Sequence, residues 1–270
     1  MKKGLTVIVA IVLCAAFAVA LTACNNDKSD WEQIQESGEL VIGITYFRPM
    51  NYYEGEALVG FETEFATAAC ELLGVTPVFQ EINWNNKIVE LQSGNIDVIW
   101  NGMTISDDLR TGMDISNAYM SNRQVAIINR NNAAIYTDLV SMTNARLGAE
   151  QQSAGEKAIK ATAELADNAY VPLEAQSTVL NELNAGTIDV GFIDIVMATA
   201  SIGEGTDYSN LMMVEGAIIG DDELYGIGVR KGSDLLEQIN SAIQTLYDNG
   251  TLATIAAKYG LTDALVAPQA

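Results

Sequence analysis

The chain contains no histidine. That removes Ser-His-Asp and Cys-His catalysis and the commonest zinc ligand. Cysteine is nearly absent too, with three in 270 residues. Cys14 and Cys24 lie at the start of the chain, and Cys70 sits on an apolar helix face, where free cysteine behaves as a small hydrophobe. Basic residues are scarce: 14 Lys and Arg stand against 35 Asp and Glu, for a net charge of −21. So acidic a chain repels a phosphate backbone, which argues against nucleic acid as a partner. The charge does not by itself indicate a cationic ligand, because net charge speaks mainly to solubility. No metal or cofactor site is expected.

The chain opens on Lys2 and Lys3, an apolar run from Leu5 to Leu21, and Leu21-Thr22-Ala23-Cys24. A basic start, a short apolar core and small residues before a cut form a secretory leader, here residues 1–23. The run is near the lower limit for a membrane span. Its last four residues resemble a lipobox, which implies cleavage before Cys24 and lipid on its thiol. One acyl chain anchors only marginally, and a diacylglyceryl group supplies two. Taking 23 from 270 leaves 247 residues, and losing two lysines takes the charge to −23. That length suggests two lobes. Residues 24–37 are expected to be a tether.

Strand and helix patterns alternate along the remainder, which points to βαβ units and a mostly parallel sheet. Leu40–Ile44 reads as a strand, and Phe61, Phe65, Ala68 and Leu72 form one helical face ended by Gly74. An internal echo supports two similar halves. Leu91-Gln92-Ser93-Gly94-Asn95-Ile96-Asp97-Val98 and Leu183-Asn184-Ala185-Gly186-Thr187-Ile188-Asp189-Val190 both read L-x-x-G-x-I-D-V. Each would be a helix end, a Gly stop and a buried strand, with a loop at the strand's carboxyl end where α/β sheets bind ligands. The expected fold is therefore α/β, two βαβ lobes. The first would hold residues 38–129 with 221–270, and the second 130–220. Crossings near Asn129–Asn132 and Gly220–Leu224 would form a two-strand hinge.

The residues at those loops carry a resemblance. Gly102-Met103-Thr104-Ile105-Ser106 through Arg110, then Asp114-Ile115-Ser116 and Ala118-Tyr119, resemble the bacterial extracytoplasmic solute-binding proteins, family 3, which deliver amino acids to ABC importers. Leu40-Val41-Ile42-Gly43, Leu58-Val59-Gly60-Phe61 and the tail Tyr225-Gly226-Ile227 to Lys231-Gly232 extend the match over nearly all of the chain after the leader. The resemblance implies the type II periplasmic-binding-protein fold, a lipid-anchored monomer outside the cell membrane, an amino-acid ligand, and an ABC permease as partner. It spaces a hydroxyl and an Arg five apart, whereas Thr104 and Arg110 are six apart, so Arg110, Arg48 and Arg123 all remain candidates for the ligand carboxylate. Asn101, Gly102 and Met103 would shape the loop that brings Thr104 to the ligand.

Ser153, with Gln152 and Ala154, starts a helix whose free N–H groups suit an anion, although Ser is also an ordinary N-cap. By the resemblance Asp194 receives the α-ammonium. The alternative is a cap for the helix that follows. Phe47, Arg48 and Tyr52 compete for an aromatic position over the ligand, and Trp84 is expected to line the cleft. Two other functions fit such a scaffold: a dehydratase-like enzyme, and a sensory domain fused to a membrane span. The sequence does not identify which amino acid is bound.

Overall fold

A computed structural model describes residues 28–269. The expected leader, the expected lipid site Cys24 and the first part of the expected tether 24–37, up to residue 27, lie outside the described residues; the rest of that stretch is helical from Asp30. Helix α1 (Asp30–Ser37) opens on a capping box: the Ser29 hydroxyl accepts from Glu32 N–H and the Glu32 carboxylate accepts from Ser29 N–H. Gly38, left-handed at φ 73°, ends it. Strand β1 (Glu39–Ile44) follows, then the small hairpin β2 (Tyr52–Glu54) and β3 (Ala57–Val59), helix α2 (Phe61–Leu73) and β4 (Thr76–Glu81). Helix α3 (Lys87–Gln92), β5 (Val98–Ile99), α4 (Asp107–Gly112) and β6 (Asp114–Ile115) complete the first run. A first sheet has the order β4-β1-β5, then β12 (Gly228–Val229), which returns from late in the chain, then β6. Helix α2 covers it, and Phe65 meets Trp100 edge-on at 4.7 Å and Tyr119 at 5.4 Å. Such pairs add about 0.5–1.5 kcal/mol each beyond area burial.

The second sheet is built on β7 (Ala118–Asn129), β8 (Leu147–Glu150), β9 (Tyr170–Leu173), β10 (Val190–Asp194) and β11 (Leu211–Tyr225), in the order β11-β7-β10-β8-β9. Helices α5 (Ala154–Ala161), α6 (Gln176–Ala185) and α7 (Ile195–Ser201) pack on it. After β12 come α8 (Leu235–Asp248), α9 (Thr251–Lys258) and a last strand, β13 (Leu265–Gln269), which pairs with β7 and has no counterpart in the sequence reading.

The echo has a shared physical basis. Gly94 (φ 77°) and Gly186 (φ 74°) both follow a helix end in the left-handed region. The Asp carboxylates then do the same job twice. Asp97 accepts from Val41 N–H at 2.9 Å and Asp189 from Arg146 N–H at 2.8 Å, each tying the start of the neighbouring parallel strand.

Two long antiparallel strands, β7 and β11, run between the sheets. Gln124–Ile128 register with Asp194–Val190 of β10, so this part of β7 already belongs to the second sheet. The first crossing therefore lies around Ser121–Arg123, upstream of the Asn129–Asn132 suggested by the sequence. A short apolar run such as Val125–Ile128 does not show by its pattern which sheet it joins. Opposite it, β11 breaks register between Ile219 and Glu223, with Gly220 left-handed at φ 72°. A bulge there bends the strand where it leaves one lobe for the other.

Candidate functional site

A cavity of about 60 Å³ lies between the lobes. Phe47, Trp84, Lys87, Asn101, Gly102, Met103, Thr104, Ser106 and Leu109 line it from the first lobe. Glu150, Gln152, Ser153, Ala154, Lys157, Gln176 and Asp194 line it from the second. Three contacts join its rims: Asn85 to Gln151 at 3.0 Å, Lys87 to the Gln152 carbonyl at 3.5 Å, and Lys157 to Asp108 at 2.9 Å.

The floor begins with Asn101, whose Oδ1 accepts from Thr45 N–H at 2.7 Å and whose Nδ2 donates to the Thr45 hydroxyl. Gly102 is left-handed (φ 54°), and a Cβ there would stand 2.8 Å from the Phe47 ring, so the chain can turn against Phe47 only without a side chain. Its N–H donates to Glu62 at 2.7 Å. Glu62 also accepts from Asn51 at 3.0 Å and from the Tyr119 hydroxyl. This buried carboxylate escaped the sequence reading. It sits on the same helical face as Ala66 and Ala69, and a carboxylate on an apolar face was the available signal.

Burial pushes the Glu62 carboxyl up to about 7 from its ordinary 4.5, with Tyr119, Gly102 and Asn51 pulling it back. A carboxyl raised on folding favours the protonated folded state, so its contribution falls as pH rises from 4.5 through 7, by up to about 1.4 kcal/mol per unit. Glu223 (about 7) and Glu150 (about 8), both raised by burial, act in the same direction. Urea unfolding at pH 5 and pH 8 is therefore expected to show stability falling with pH, and Glu62→Gln should reduce that slope. An unchanged slope would mean that Glu62 ionises without cost.

Thr104 lines the cavity and donates to Glu223 at 3.0 Å. Arg110 does not reach it. Its side chain is exposed, and its carbonyl accepts from Lys231 at 2.9 Å. Each helical residue turns the side chain by about 100°, so the extra residue puts Leu109 inward and Arg110 outward. Leu109 stands five residues after Thr104. The other two arginines are also elsewhere. Arg123 forms an exposed pair with Asp222 at 2.6 Å. Arg48 lies 4.1 Å over the Tyr52 ring, and both line a wider opening beside Met197 and Tyr208 rather than the cavity. Phe47 lines both spaces. The cations that do line the cavity are Lys87 and Lys157, neither of which the sequence reading named. Lys87 is 3% exposed, donates to the Trp84 carbonyl at 3.1 Å and sits 4.4 Å over the Trp84 ring. Burial lowers its pKa to about 8.

Ser153 caps α5, its hydroxyl accepting from Glu156 N–H at 3.2 Å, while Gln152 takes a left-handed φ of 57° and donates its N–H to the Glu156 carboxylate at 2.6 Å. Asp194 ends β10 and precedes α7, yet its side chain caps nothing. Amides hold it instead: Asn122 at 2.7 Å, Gln176 at 2.6 Å, and Gln124. Asn122 and Gln124 donate to Glu223 as well. Burial raises the Asp194 carboxyl, and the amides counter that by favouring its charged form.

Comparison with known proteins gives concordant matches. Residues 40–262 match the family model described as bacterial extracellular solute-binding proteins, family 3. The arginine-binding extracellular protein ArtP of Bacillus subtilis (strain 168) is 26% identical over 268 residues, which cover 96% of this chain and 98% of the relative. The L-cystine-binding protein TcyJ of Escherichia coli (strain K12) is 26% identical over 261 residues, 96% of this chain and 95% of that one. Among solved structures, Tv2483 bound to L-arginine superposes with a TM-score of 0.81 at 20% identity, covering 88% of this chain and 96% of that chain, so the bilobal fold is shared.

Proposed function

Because the chain belongs to the bacterial extracellular solute-binding proteins, family 3, we propose that it captures an α-amino acid between its lobes and hands it to an ABC permease. The observation that carries this reading is Asp194. It is a buried carboxylate at a strand's carboxyl end, lining the cavity and not spent on the helix behind it. An ammonium brought there gains a charge-assisted bond that water cannot match in a closed site. The carboxylate on the same carbon must also be answered, since an unpaired buried charge is costly. Lys87, Thr104 and the start of α5 at Ser153 are the groups within the cavity that suit it, with Trp84 and Phe47 covering the side chain. ArtP and TcyJ are named for what they bind, which supports a receptor over a dehydratase-like enzyme.

A thermal-shift screen of the amino acids tests the proposal, because a ligand that binds only the folded state raises its melting temperature. A flat response to every one would sink it. Lobe boundaries in this reading follow the crossings at Ser121–Arg123 and Gly220–Glu223.

The family is extracellular, and no helix among the described residues is long and apolar enough to cross a membrane. Attachment through lipid on Cys24 accords with the Leu21-Thr22-Ala23-Cys24 run. Cys24→Ser is expected to release the protein from cell membranes or leave it unprocessed. A variant cleaved after Ala23 that fractionates with membranes as wild type does would rule out the anchor.

A further inference from the structure

Four ionisable side chains line the cavity: Lys87, Glu150, Lys157 and Asp194. Lys157 is answered by Asp108 at 2.9 Å. Lys87 and Asp194 then balance each other, and burial, which raises Glu150 to about 8, keeps that carboxyl protonated in the empty cavity. A zwitterion with an uncharged side chain leaves Glu150 in its neutral form. A zwitterion with a cationic side chain favours its ionised form and gains a charge-assisted bond from it.

Geometry indicates which group would receive that cation. Asp194 is supplied by three amides. Glu150 is 5% exposed, and its Oε1 is buried with no hydrogen-bond partner among the described residues. A buried carboxylate oxygen without a donor costs free energy until something supplies one. Lys87 is the cation whose charge acts on it through space, yet among the described residues the two form no ion pair within 4.0 Å. Its ammonium is directed to the Trp84 and Gln152 carbonyls and the Trp84 ring. Glu150 and Asp194 end the adjacent parallel strands β8 and β10, where Gly148 registers with Gly191. Neighbouring strands lie roughly 4.8 Å apart. Two carboxylates so placed suit one small molecule carrying two cationic centres.

We propose that Glu150 selects the ligand's side chain, so that the cavity takes a basic α-amino acid in preference to a neutral or acidic one. This inference rests on the amino-acid reading above and adds the chemistry of the side chain.

Calorimetry on the full chain with L-arginine, its uncharged near-isostere L-citrulline, and L-glutamate tests it. Wild type should bind arginine at least about tenfold more tightly than citrulline, the ordinary scale of one charged hydrogen bond, and glutamate least. Glu150→Gln keeps the shape and removes the charge. It should bring arginine to within about threefold of citrulline while changing citrulline binding little. Citrulline binding as tightly as arginine to wild type would overturn the inference and leave the amino-acid reading standing. So would an arginine preference that survives in folded Glu150→Gln. If that variant does not fold, the wild-type ratio decides by itself. Failure of wild type to bind any amino acid would overturn both.

Discussion

Asp194→Ala is expected to weaken amino-acid binding by roughly 2–5 kcal/mol, the cost of stranding one partner of a buried charge pair. The ligand ammonium would enter a closed cavity with its counter-charge removed, and Glu150, the other carboxylate lining the cavity, stands on the next strand. The fold should survive. Asp194 caps no helix, so no cap is lost. Asn122 and Gln124 keep Glu223 as an acceptor, and Gln176 is half-buried and can turn to solvent. Removing Asp194 also relieves the charge that raises Glu223. Calorimetry beside a melting curve decides the matter: a folded Asp194→Ala that binds within about twofold of wild type would take Asp194 out of the site.

Gly60→Ala should cost more than about 3 kcal/mol of stability, beyond the ordinary range for a single substitution. Gly60 precedes α2 at φ 134° and ψ 167°, a region that is essentially glycine's alone. A Cβ there would stand 2.0 Å from the Met50 carbonyl oxygen and 2.5 Å from its carbon. That carbonyl is not free to move, because it accepts from Glu62 N–H at 3.1 Å while Pro49 accepts from Phe61 N–H at 2.8 Å. The obstruction is backbone on both sides. Displacing it would also pull Asn51 from Glu62, and with them the support under Gly102. Gly55→Ala is the matched control: it is left-handed at φ 62° but has nothing within 4 Å, so its cost is confined to backbone strain of about 1 kcal/mol. Urea denaturation of the pair gives the comparison, and equal costs would show that the Met50 carbonyl yields easily.

The element order and the doubled unit were legible in the sequence because their signals are local. Gly94 and Gly186 end helices by a left-handed turn that almost only glycine adopts, and Asp97 and Asp189 recur three residues later. The loop after β5 and the end of β10 follow from that pattern, so Thr104 and Asp194 could be named as candidates, and the structure sets both at the cavity. What the sequence by itself determined is therefore the alternation of strands and helices, the two lobes, and the strand ends at which chemistry is offered.

Other features depended on angle or on distance along the chain, and only the tertiary structure decided them. A six-residue helix turned by one residue puts Leu109 where an arginine was looked for, and rotation is not visible in composition. The acceptor of Asn122 lies 72 residues away and that of Gly102 lies 40 residues away, beyond any periodic signal. Lys87 and Glu150 come from different lobes and become neighbours of one cavity only when the lobes meet. Each looks like an ordinary surface charge in sequence. Burial alone, by removing the water that would otherwise solvate them, sets them apart from surface charges.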